Sequence, residues 1–105
     1  MRIDFNFDSN DIGGIVGIVP CAGLLVGSYG LESNGNTWSS AVLTIVYDAG
    51  GGRWEAYPSV ATIVTATRNS ARLDLTWFDR VALKITTAEG SSQRLFGTFF
   101  GKERE

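Results

Sequence analysis

The sequence predicts an all-β domain: an antiparallel two-layer β-sandwich, jelly-roll or immunoglobulin-like, with a small β-barrel as runner-up. Three observations carry this. Trp38 to Tyr57, WSSAVLTIVYDAGGGRWEAY, reads as a strand, a glycine-rich reversal and a return strand. Several short runs alternate apolar and polar residues between clusters of Gly, Asn, Asp and Ser. No stretch keeps an apolar period of 3.6 over three turns, so no helix is expected. The sandwich is preferred because several strands offer one clean polar face to solvent.

The elements follow in chain order. Arg2 to Phe7 alternates, with Ile3, Phe5 and Phe7 on one face and Arg2, Asp4 and Asn6 on the other. It suits either its own sheet or a neighbouring subunit. Asp8 to Asp11 is a polar turn. Ile15 to Val19 and Leu24 to Tyr29 are apolar strand candidates, joined by a turn near Pro20 to Gly23. Glu32 to Asn36 is a loop with Asn34-Gly35 as its turn signal. In the central hairpin Ala41, Leu43, Ile45 and Tyr47 share one face. Gly50, Gly51 and Gly52 then allow the positive φ angles of the reversal. Val60 to Thr67 is rich in β-branched residues, and Arg68 to Ser70 turns the chain. Leu73, Leu75 and Trp77 alternate with Arg72, Asp74 and Thr76. Arg80 to Thr87 puts Val81, Leu83 and Ile85 inward. Glu89 to Ser92 is a turn, Leu95 to Phe100 the last strand, and Gly101 to Glu105 a charged tail.

Composition bounds the class. A chain of 105 residues suits a single domain spanning 1–105 and buries about 65% of its unfolded surface. The hydrophobic fraction of 44% argues against disorder. Net charge is -2 and the basic residues are scattered, so no nucleic-acid footprint is expected. Cys21 is the only cysteine, which excludes an intrachain disulfide. A buried thiol is the simpler reading and an intermolecular bridge the other. Ile12 to Leu31 runs without a charge, the length of about 20 residues that a membrane span needs. Its glycines and Pro20 favour two buried strands over a membrane or fusion segment.

The chain has no histidine. That removes His-based nucleophilic catalysis, His metal sites and the commonest general base. Gly50 to Gly52 lacks the Lys and Ser/Thr of a phosphate loop. The DSND turn lacks the further ligands of a calcium loop. Asp74 and Asp79 read as surface charges before they read as a glycosidase pair. The expectation is therefore a non-enzyme, with no catalytic residue, cofactor or metal.

Aromatic residues are the remaining candidates. Trp77, between alternating leucines, is expected in the core. Trp54, beside Arg53 at a hairpin end, reads as packed or as a contact residue. Phe96 and Phe100 share one face of the last strand and Phe99 takes the other. Such a strand is either central or covered by a partner. The expected partner-binding set is Arg53, Trp54, Tyr57, Phe96, Phe99 and Phe100.

The phrase AVLTIVYDAGGGRW, followed later by RVALKITTAEGSS, resembles small β-sandwich domains of tailed-phage virions. Other sandwiches share this hairpin grammar. The resemblance implies a non-enzymatic accessory virion protein, foremost a capsid decoration or cement protein. It implies self-association, with a trimer favoured, and the major capsid protein as partner, without nucleic acid or membrane. Its place would be the capsid surface, after synthesis in the host cytoplasm. A head–tail or tail accessory protein is one alternative. A carbohydrate-binding module, with Trp38, Trp54 and Tyr57 as a stacking platform, is another. A membrane-active protein using Ile12 to Leu31 is the third.

Overall fold

The computed structural model describes residues 1–8, 13–33, 41–58, 62–64, 70–87 and 94–103. Among these, nine strands run in chain order as β1 (Arg2–Asp8), β2 (Ile15–Pro20), β3 (Leu24–Ser33), β4 (Val42–Gly50), β5 (Arg53–Ala56), β6 (Thr62–Val64), β7 (Ser70–Asp74), β8 (Arg80–Thr87) and β9 (Arg94–Glu103). They form two antiparallel sheets. The first has the order β1-β9-β3-β7 and the second β2-β8-β4-β5, with β6 also paired to β4. β6 meets Val42 to Thr44 and β5 meets Val46 to Gly50, so the two share one edge of β4.

The chain crosses between sheets at each step from β1 to β4, and again at each step from β6 to β9. This is the path of a jelly roll. An immunoglobulin-like order would set early strands side by side in one sheet. The molecule is thus a sandwich and not a closed barrel.

Local chemistry explains the strands. The β4–β5 hairpin turns through Gly50, Gly51 and Gly52, at φ +88°, +65° and +78°, angles that side chains disfavour. Asp48 Oδ1 accepts the Gly50 N–H at 2.8 Å and fixes the first corner. The uncharged run folds as β2 and β3, which lie in different sheets. The turn between them is closed by Leu24 N–H on the Cys21 carbonyl, 3.0 Å. β1 pairs with β9 of its own chain, from Arg2 opposite Phe100 to Asp8 opposite Arg94.

The inward faces meet in a dry core. Tyr29, Phe99, Leu43, Ile45, Ile63, Leu75, Leu83 and Ile85 are all buried. Burying such an aliphatic or aromatic side chain contributes roughly 1.5–3 kcal/mol. Glycines make room for the rings. The Phe5 ring lies over Gly97, and Phe99 and Leu75 lie over Gly27. Phe5 stands edge-on to Tyr29 at 6.0 Å, and Tyr29 edge-on to Phe99 at 5.1 Å. The Tyr29 hydroxyl crosses the sandwich and donates to the Gly17 carbonyl at 2.7 Å. Gly17, at φ +60°, sits in a bulge of β2 between Val16 and Val19. Burial pushes the Tyr29 phenol far above its ordinary value, so it stays a neutral donor.

Four expectations need correction. β9 runs on to Glu103, so Gly101 to Glu103 is strand and not tail; Gly101 N–H reaches the Met1 carbonyl at 2.8 Å. Glu32 and Ser33 belong to β3. Ser70 opens β7. The alternation through Leu73 and Leu75 stops at a turn, which carries Trp77 outward. The rest of the DSND turn, the Asn34-Gly35 turn, Trp38, most of Val60 to Thr67 and Glu89 to Ser92 lie outside the described residues.

The glycine niches give a contrasting pair of substitutions. A Cβ on Gly97 collides with Phe5, whereas one on Gly30 meets nothing within 4 Å. Gly97→Ala is expected to lower urea-unfolding stability by about 1–3 kcal/mol through overpacking. Gly30→Ala is expected to be neutral or stabilising. Equal losses at both positions would contradict this packing.

Candidate functional site

The outer face of the first sheet is the candidate site, and strand order determines its content. β9 lies between β1 and β3, so it is central and not an edge. Its alternation sends Gly97, Phe99 and Gly101 toward the core and Phe96, Thr98, Phe100 and Lys102 outward. Phe100 is 52% exposed, while Phe99 is wholly buried. Across the sheet Phe100 stands between Ser28 of β3 and Arg2 of β1. The Arg2 guanidinium lies 5.6 Å from the Phe100 ring centroid, a cation–π contact. Arg2 also pairs with Asp4 at 3.2 Å, and Thr98 donates to Asp4 at 2.9 Å. These bonds, the Thr98 one first, hold the Asp4 carboxyl below its ordinary value.

Next to Phe100 the face is hollowed. A groove of about 760 Å³ runs over β3, walled by Arg72 and Asp74 of β7 and by Phe100 and Lys102 of β9. A bulge in β3 lies between Leu24 and Val26. The inserted residue turns Leu25 outward together with Val26, and the two are 41% and 43% exposed.

Trp77 stands on the turn that follows β7. It is 85% exposed. Phe78 N–H closes the turn on the Leu75 carbonyl at 3.1 Å. Thr76 N–H donates to Asp74 Oδ1 at 3.0 Å. Phe78 takes the inward place that alternation had given to Trp77, packing at 4.8 Å on Tyr47 and 5.4 Å on Tyr57. The tryptophan is therefore presented on a braced turn. The signal in the sequence was the adjacent pair Trp77-Phe78: only one of them can point inward.

The predicted residues divide. Tyr57 is buried. Its hydroxyl accepts the Asp74 N–H at 2.8 Å and donates to the Asp74 carbonyl at 3.1 Å. It ties the edge of one sheet to the edge of the other and is not a surface contact. Phe99 is likewise a core residue, because the parity of β9 points it inward. Phe96 is half-buried on the outer face and Phe100 exposed. Arg53 is exposed and its Nε donates to the Gly50 carbonyl at 3.5 Å. Trp54 is half-buried on the other sheet, with the Arg80 guanidinium 5.4 Å from its ring centroid. Arg80 in turn pairs with Asp48 at 2.6 Å. The structure thus brings Arg53 and Trp54 together on one sheet, and Phe96 and Phe100 on the other. Among the described residues no group of three or more Cys, Asp or Glu is placed to hold a metal.

No protein-family model and no curated protein matches the sequence. Solved structures do match the fold. The SPBc2 prophage-derived protein YomS aligns over 97% of this chain and 96% of its own, at 7% identity and TM-score 0.59. The PBSX exported protein XepA aligns over 94% of this chain but 38% of its own, at 14% identity and TM-score 0.57. A structure of Bacillus endospore appendages, a family of disulfide-linked pili, aligns over 98% of this chain and 87% of its own, at 22% identity and TM-score 0.50. At these identities the likeness is one of fold.

The Arg80–Asp48 pair yields a pH prediction. Hydrogen bonds from Arg80 and then from Gly50 N–H hold the Asp48 carboxyl below its ordinary 3.8. A depressed folded value means that its contribution to stability is present above the unfolded value. It is lost as pH falls through the folded one. Asp48→Asn is expected to shift the urea midpoint downward at neutral pH. The gap from the parent chain should close below about pH 4. A gap unchanged in acid would refute the assignment.

Proposed function

We propose that this chain is a non-enzymatic structural protein of a phage particle, an accessory protein that decorates or cements the capsid shell. It acts by protein–protein contact. The observation that carries this reading is the outward presentation of Trp77 and Phe100 by a rigid sandwich. Trp is the residue type most enriched where binding energy concentrates. The fold shared with SPBc2 YomS over nearly the full length of both chains supports a phage setting. Self-association belongs to the proposal, with a trimer as its expected form, and the major capsid protein is the expected partner. The location is the virion surface. Of the contact residues expected from sequence, Arg53, Trp54, Phe96 and Phe100 remain available, and Trp77 joins them.

Two alternatives are weakened by particular side chains. A stacking platform of Trp38, Trp54 and Tyr57 loses Tyr57 to the core. A disulfide-linked assembly needs an accessible thiolate. Cys21 is instead buried, its Sγ 3.3 Å from the Phe78 carbonyl and its thiol pushed up to about 11, chiefly by burial.

The proposal is tested by gradient centrifugation of particles from the chain's own source, followed with an antibody. The chain is expected to band with full particles and with tailless shells. Trp77→Ala should release it to the top of the gradient while leaving its melting temperature unchanged. A chain found only at the top, or only with tails, would overturn the capsid role.

A further inference from the structure

The trough over β3 has a shape and a charge that specify an occupant. Its floor is Leu25, Val26 and Ser28 of β3, and farther along the strand a side chain added at Gly30 would meet nothing within 4 Å. Its walls are the larger residues of β7 and β9. Those strands flank β3 at one strand spacing each, so the trough is about 10 Å across. That is the width of one extended chain with its side chains. A flat bilayer cannot reach such a concave floor, and a helix, about 10–12 Å across with its side chains, is wider than the gap left between the wall side chains.

The charges point the same way. Arg72 and Lys102 rise from opposite walls, and neither has an ion pair among the described residues. The Asp74 carboxylate is turned to its own chain, accepting from Thr76 N–H. The charged lining thus holds two cations and one carboxylate, a net positive strip on a chain of net charge -2. Leu25, Val26 and Phe100 supply an exposed apolar lining between those cations.

We propose that the trough receives an extended, carboxylate-bearing segment of a partner protein, laid along β3. Alternate apolar side chains of the segment cover Leu25, Val26 and Phe100. Its carboxylates meet Arg72 and Lys102. Charge complementarity selects the anion and the apolar lining holds it. That the partner is a protein rests on the accessory-protein reading. The preference for an extended anionic chain does not, and is tested without any particle.

The test uses the full chain and three fluorescein-labelled decapeptides, measured by anisotropy. One alternates Leu with Glu, one Leu with Lys and one Ser with Glu. The Leu/Glu peptide is expected to bind, and the other two to bind at least about tenfold more weakly. Affinity should fall severalfold between about 50 and about 500 mM NaCl as the charges are screened. Ser28→Tyr fills the trough from its solvent side. It should lower affinity at least about tenfold with an unchanged thermal melt. Arg72→Glu with Lys102→Glu should shift the preference to the Leu/Lys peptide. Binding of no peptide, equal binding of the acidic and basic peptides, or full binding by Ser28→Tyr would overturn the proposal. So would Ser28-dependent binding to phosphatidylglycerol vesicles in place of the peptides. A chain that binds the peptide but never bands with particles would leave the trough standing and remove the virion role.

Discussion

The ring cluster of Phe5, Tyr29 and Phe99 on the first sheet, seated on Gly27 and Gly97 of that sheet and reaching Gly17 of the other, is the constraint on which the remaining structure depends. Three rings meet edge to face at the middle of the sandwich. They fit only because Gly17, Gly27 and Gly97 lack side chains where the rings lie. The Tyr29 hydroxyl then needs a partner in the dry interior. It finds the Gly17 carbonyl, exposed by the bulge in β2. One glycine thus accommodates a ring, bends a strand and satisfies a buried donor.

That clamp also determines what reaches the surface. With Phe99 committed inward, the parity of β9 fixes Phe96, Phe100 and Lys102 outward. With Leu24 inward beside Gly101, the next residue is an inserted one, and Leu25 and Val26 both emerge. Tyr57 repeats the device at the other end. It bonds both backbone polar groups of Asp74 and so ties the β7 edge to β5. Asp74 then caps the turn that lifts Trp77. The core and the exposed outer face are two consequences of one set of alternations.

Much of this was legible in the sequence, for reasons that differ by element. The β4–β5 hairpin was readable because three glycines and a period-2 pattern coincide. β8 and β1 were readable because one face of each is polar. β9 was recognised as a strand apolar on both faces, which left it either central or covered by a partner, and the pairing with β1 and β3 makes it central. Its end was missed because Gly101 to Glu103 looks like a charged tail, while a central strand is extended by its neighbours' hydrogen bonds. Trp77 was misplaced because alternation was carried past Leu75, through an Asx-supported turn that Asp74-Leu75-Thr76 encodes. Tyr57 was read as a surface residue because nothing local shows that its hydroxyl spans to Asp74. The jelly-roll path, as opposed to an immunoglobulin-like one, is a long-range property of pairing that periodicity does not hold.

The outer face of the first sheet, with the Trp77 turn, is the contact surface we propose for this glycine-clamped sandwich. Hydroxyl-radical footprinting of the chain, free and mixed with the particle proposed as its partner, tests this most directly. Trp77, Phe100, Leu25 and Val26 should be oxidised in the free chain and protected in the bound one. Trp54 should change little. Protection confined to Trp54 and Arg53, with Trp77 and Phe100 oxidised as before, would contradict the account and move the interface to the opposite sheet.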